Sequence, residues 1–252
     1  GRTDPPSPDD VAFPEGEPID LVYIADSSSV GEPYAALVAG TLDREVRLDG
    51  SIEEDPEAIR KTYADRVAEA EIIVFYFNAE RFEQGMPEPQ FAAGCLDSVA
   101  ALEEPDWDGP PWTPGTDWEP VPALTTAEDW QPYRDWLSDI WEAIWDARDG
   151  QPVVLVGHDM FNPWYGQWVE LGVEPECTAY WEGQANSARE AAEANGATFV
   201  SFYDLFNGPG HDEDARLKGY VFEDGMHAND AGATVAAEAL AAVGFELNEP
   251  PD

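Results

Sequence analysis

Lysine is nearly absent from this chain. Lys61 and Lys218 are its only two, among 12 basic residues set against 53 acidic ones. The formal net charge is −41. A surface of that sign repels nucleic acid and anionic membranes, which excludes both as partners. No apolar run approaches the roughly 18 residues of a membrane helix, so no membrane insertion is expected. Cysteine is scarce, with Cys95 and Cys177 alone, and their spacing with the histidines matches no zinc-type Cys/His array. These two could close one disulfide in an exported protein or remain buried thiols. There is no Walker loop and no G-x-G-x-x-G motif, which removes the common nucleotide-binding signatures.

Apolar and aromatic residues are not scarce. Hydrophobic residues make up 43% of the 252, and aromatics 12%. An acidic chain poor in aromatics would read as disordered; this one can bury a core. Dense carboxylates over a folded core match a surface adapted to high salt, as expected of a halophilic source, where repulsion is screened. The length fits one large domain. Residues 1–17 form a polar, Pro-rich stretch that resembles a linker behind a removed leader or anchor, and it sets the expectation of an extracellular or cell-surface location. The domain spans 18–246, and 247–252 form an acidic tail.

Apolar runs alternate with helical periodicity. Residues 19–25, 45–48, 72–77, 153–157 and 198–202 read as strands. Residues 33–42, 56–70, 127–147, 180–194 and 230–243 read as helices. That alternation predicts an α/β fold: a three-layer α/β/α sandwich around a central parallel sheet of about five strands. Ligands in such sheets bind beyond the carboxyl ends of the strands, where Ser27, Asn78 and His158 all fall. One stretch breaks the rhythm. Residues 103–126 are rich in proline and hold Trp107, Trp112 and Trp118, as expected of an insertion packed by its own aromatics or a lid over a cleft. Trp136, Trp141 and Trp145 recur near helical spacing and read as core.

Histidine is also rare, with His158, His211 and His227. His227 follows Asp224 by three residues and precedes an alanine-rich helix. On one turn the carboxylate can fix the imidazole tautomer, and the positive end of the helix favours a neutral ring, as a general base requires. Ser27 stands at the first strand-to-helix turn, where a hydroxyl could be activated by that base. The same Asp26-Ser27-Ser28-Ser29 run could instead serve as turn and helix cap, and Ser28 and Ser29 are competing nucleophiles. The Asn78 side chain and the Gly50 N–H are candidate oxyanion donors. His158-Asp159 could line the site. His211-Asp212-Glu213-Asp214 could bind a divalent cation, although such runs arise by chance in a chain this acidic.

In these blocks the chain resembles the SGNH (GDSL-like) hydrolase superfamily. Ala25-Asp26-Ser27 with Gly31 and Tyr34 matches the first block, Gly50 the second, Asn78 within Tyr76-Phe77-Asn78-Ala79 the third, and Asp224 with His227, followed by Asn229 and Gly232, the last. The resemblance runs through residues 19–243 in family order. It implies a flavodoxin-like SGNH hydrolase fold and a serine esterase with the triad Ser27, His227 and Asp224. The oxyanion would be held by Ser27, Gly50 and Asn78, with no cofactor and no metal. The substrate would be a small-molecule or polysaccharide ester. Ala25, Tyr76 and Ala79 depart from the family pattern; bulk at position 76 could narrow the acyl pocket. Two alternatives keep the same scaffold: a carbohydrate acetylesterase, and a catalytically eroded binding protein.

Overall fold

The structure is a computed structural model that describes residues 13, 16–25, 30–53, 55–76, 95, 128–223 and 225–251. The expected insertion at 103–126 and nearly all of the expected linker at 1–17 lie outside the described residues.

Five parallel strands form one sheet in the order β2-β1-β3-β4-β5, namely β1 (Ile19–Ile24), β2 (Val46–Asp49), β3 (Ile72–Tyr76), β4 (Val154–His158) and β5 (Thr198–Val200). Among the described residues the helices between them are α1 (Gly31–Leu42), α2 (Pro56–Lys61), α3 (Ala64–Glu69), α4 (Gln131–Ala147), α5 (Tyr165–Leu171), α6 (Glu174–Ala194) and α7 (Phe202–Asn207), and α8 (Asp230–Ala242) follows β5 and α7. This is the three-layer α/β arrangement expected from the alternation.

The central strands are apolar on both faces because helices cover both. Ile19, Leu21 and Tyr23 of β1 point to one side with Ile72, Val74 and Tyr76 of β3, and there they meet Val38 of α1 and Ala236 and Leu240 of α8. Val22, Ile24, Ile73 and Phe75 point to the other side, against Ile140, Trp141 and Ile144 of α4 and Ala188 and Ala192 of α6. Trp141 and Trp145 are buried in this second layer as their spacing suggested, and Trp136 packs at its margin. Gly157 makes room for Trp141: a Cβ at 157 would lie 3.0 Å from that indole.

Several element ends differ from the sequence expectation, each for a local reason. The helix expected over 56–70 is two, broken at Thr62 and Tyr63. Both of their N–H groups turn back onto the Ala58 carbonyl, which ends α2. The carbonyls that α3 leaves unpaired are taken by the buried Arg148 guanidinium, which donates to Val67 and Ala70 at 2.8 and 2.7 Å. Burial lowers the Arg148 pKa from its ordinary value, while Glu71 opposes that shift. The strand expected over 198–202 stops at Val200, because the Ser201 hydroxyl caps a helix by accepting from the Asp204 N–H. Phe202 therefore belongs to α7. The long helix α6 begins at Glu174, six residues before the expected start, with Pro175 in its first turn. Asn248, in the expected tail, pairs with Val153, and its side chain accepts from the Leu155 N–H. Cys95 and Cys177 form a disulfide, Cα to Cα 5.5 Å, which decides between the two states left open by the sequence.

Candidate functional site

The register of the sheet decides where chemistry can gather. Tyr23 of β1 lies opposite Val74, and Tyr76, the last residue of β3, lies opposite His158, the last of β4. A strand order of 2-1-3-4-5 opens a crevice where the chain reverses its direction of sheet growth, beyond the ends of β1 and β3. A cleft of about 410 Å³, open solvent at its mouth included, occupies that place. Val30 at the head of α1 and Tyr76 line one side. His158 and the three residues after it, Asp159, Met160 and Phe161, line the floor together with Phe202. Met226, His227 and Ala228, just before α8, close the remaining side.

His158 is the centre of an aromatic stack. The Phe202 ring lies on one side of the imidazole, centroids 3.9 Å apart, and the Tyr76 ring is also stacked on it at 5.0 Å. Its two nitrogens are engaged. A carbonyl can only accept, so Nδ1 carries the proton it donates to the Asp159 oxygen at 2.8 Å. Nε2 is then the acceptor for the Tyr23 hydroxyl at 2.6 Å. Burial pushes the His158 pKa down to about 3, partly opposed by the Asp159 carbonyl. The ring is therefore neutral at ordinary pH, and its lone pair is already used. This excludes it as the general base and makes it part of the cleft floor.

Asp159 is buried as well, and its carboxyl group ties β4 to α7. One oxygen accepts from the Ser201 hydroxyl at 2.8 Å and the other from the Tyr203 N–H at 3.0 Å. Burial raises its pKa to about 7, against the lowering effect of these bonds. The group thus fixes the first turn of α7, where Phe202 meets His158.

His227 is set in a short hairpin. The Phe222 N–H donates to the His227 carbonyl at 2.8 Å, and Val221 bridges Ala228 in antiparallel fashion. Asn229 ties this hairpin to α8. Its side-chain oxygen accepts from the Ala231 and Gly232 N–H groups, while its nitrogen donates to the Gly219 and Val221 carbonyls. Gly232 permits the approach, since a Cβ there would lie 2.3 Å from the Tyr220 carbonyl oxygen. The Asn and Gly that follow the Asp-x-x-His pattern therefore have a shared task, which is to hold the histidine loop against the start of the helix. His227 itself is exposed at the cleft.

Of the residues singled out from sequence, His227 lines the cleft and His158 and Asp159 form its floor. Ser27, Asn78 and Asp224 lie outside the described residues. Gly50 follows β2 on the exposed edge of the sheet and is not among the described residues that line the cleft. His211 stands apart, its Nε2 2.7 Å from Asp204, with Glu182 at 3.5 Å from Nδ1 and the Tyr203 ring stacked on it at 3.8 Å. The neighbouring acids are drawn into other pairs, Glu213 with Lys218 and Asp214 with Arg216. Among the described residues no group of His, Cys, Asp and Glu is arranged to hold a metal ion. Sequence reasoning missed Tyr23 and Phe202, which sit inside apolar strand-like runs; only the alternation of faces could have placed Tyr23 beside Tyr76 and His158.

No protein-family model matches this sequence, and no curated protein matches it. Among solved structures, the chain is similar to a lipase from a goat rumen metagenome, at 14% identity and a TM-score of 0.56, over 90% of this chain and 98% of that one. A likeness at that identity establishes a shared fold.

Proposed function

We propose that the chain is a serine hydrolase acting on carboxylic esters. The observation that carries this reading is the cleft lined both by Val30, three residues after Ser27, and by His227. Val30 and His227 thus meet at one cleft, beyond the carboxyl ends of the strands. The fold shared with a protein described as a lipase is consistent with it.

In this reading Ser27 attacks the ester carbonyl and His227 takes its proton. Asp224 orients His227 and stabilises the imidazolium. The Ser27 and Gly50 N–H groups and the Asn78 side chain hold the oxyanion. His227 then protonates the departing alcohol, and a water molecule, activated by the same imidazole, releases the acid. The scheme resembles that of the SGNH hydrolases. The Cys95–Cys177 disulfide supports work outside a reducing cytosol, at the cell surface or beyond it.

The test is intact mass after exposure to a fluorophosphonate, on wild type and Ser27→Ala, in high-salt buffer. One adduct on wild type and none on the variant is expected. No adduct on folded wild type overturns the reading, as does full esterase activity in Ser27→Ala. Loss of the nucleophile should cost several orders of magnitude in turnover, against about 10²–10³ for one oxyanion donor.

A further inference from the structure

We propose that the cleft selects esters whose acyl group carries an apolar chain over simple acetyl esters, and that Met160 with the Tyr76–His158–Phe202 stack forms the wall that receives that chain. The proposal rests on the esterase reading above and names its substrate class.

The polar side-chain atoms of His158 and Asp159 are engaged within the protein. Both His158 nitrogens are bonded within the protein, and both Asp159 oxygens accept from α7 and its cap. His158 is 3% exposed and has two aromatic rings stacked on it, so what it offers the cleft is ring edge. A ring edge is the positive rim of the aromatic quadrupole and packs against methylenes or against another ring's face. A sugar would need hydroxyl partners or an open ring face, and His158 supplies neither. Met160 adds a thioether chain that bends to fit an apolar guest.

The depth of the groups assigns the two halves of an ester. Tyr76, His158 and Phe202 are 7%, 3% and 4% exposed, whereas His227 is exposed at the mouth. The alcohol must leave past the imidazole that protonates it, so it occupies the mouth. The acyl group stays on the enzyme and takes the buried floor.

The experiment compares nitrophenyl acetate and butyrate on wild type, Met160→Gln and Met160→Leu, with melting curves to confirm folding. Gln keeps the length of Met and changes its polarity. In wild type, kcat/KM should rise from acetate to butyrate by on the order of tenfold, since each buried methylene is worth about fourfold. Met160→Gln should reduce the butyrate-to-acetate ratio several-fold, and Met160→Leu should restore it. Highest activity on acetate in wild type overturns the proposal, as does an unchanged ratio in folded Met160→Gln. If the wild type turns over no ester and takes no fluorophosphonate, the esterase reading itself has failed and the substrate class falls with it.

Discussion

The Tyr23 hydroxyl and His158 Nε2 are 2.6 Å apart, joined across the strand that separates β1 from β4. This bond links the strand that leads to Ser27 with the floor of the cleft. It exists because Tyr23, Tyr76 and His158 all project to the same face of the sheet.

Replacing Tyr23 with Phe removes the donor and leaves a buried ring nitrogen without it. An unsatisfied buried acceptor costs about 1–3 kcal/mol. Tyr23→Phe should lose that much stability in urea unfolding, and its ester turnover should fall more than its stability requires at temperatures where both proteins are folded. Equal unfolding midpoints would show that the bond contributes nothing.

Asp159 predicts a pH dependence of definite sign. Its pKa is near 7 in the folded chain and 3.8 as an ordinary carboxyl. Between those values the folded state holds a proton that the unfolded state has lost, so stability from this group falls as pH rises through that window. It is fully present below 3.8 and spent above about 7. Asp159→Asn cannot titrate. The stability of wild type relative to the variant should therefore decline between pH 4 and pH 7 and level off above it. A constant or rising difference in pH-dependent melts would refute the assignment.

The charge balance predicts a salt dependence. Twelve basic residues cannot neutralise 53 acidic ones. The pairs that do form, such as Arg47–Asp20 and Arg60–Asp146, are largely exposed and weak. The remaining carboxylates repel one another over distances that salt screens. Thermal melts in molar salt should lie well above those in dilute buffer. Coincident melts would remove the reading of a salt-adapted surface.

The sequence made the sheet legible because β1, β3 and β4 are continuous apolar runs, which is the mark of strands covered on both faces. It misplaced the end of β5, because Phe202 extends an apolar run while Ser201 starts a helix. A cap of one hydroxyl outweighs the hydrophobic pattern there. The helices α5 and α7, of seven and six residues, are too short to show a period. His227 was visible through its spacing from Asp224. The role of His158 was not, since its partners Tyr23 and Phe202 lie 135 and 44 residues away in sequence and meet it only through the register of the sheet.

Asn229 divides one amide between two neighbours, its oxygen holding the first turn of α8 and its nitrogen holding the hairpin of His227. Neither can loosen alone. Fraying of the helix start would withdraw the hairpin's tether, and opening of the hairpin would uncap the helix. The cleft wall and the last helix therefore form one cooperative unit. A histidine on an exposed loop inherits its persistence from a helix whose inner face is anchored by Ala236 and Leu240 in the core.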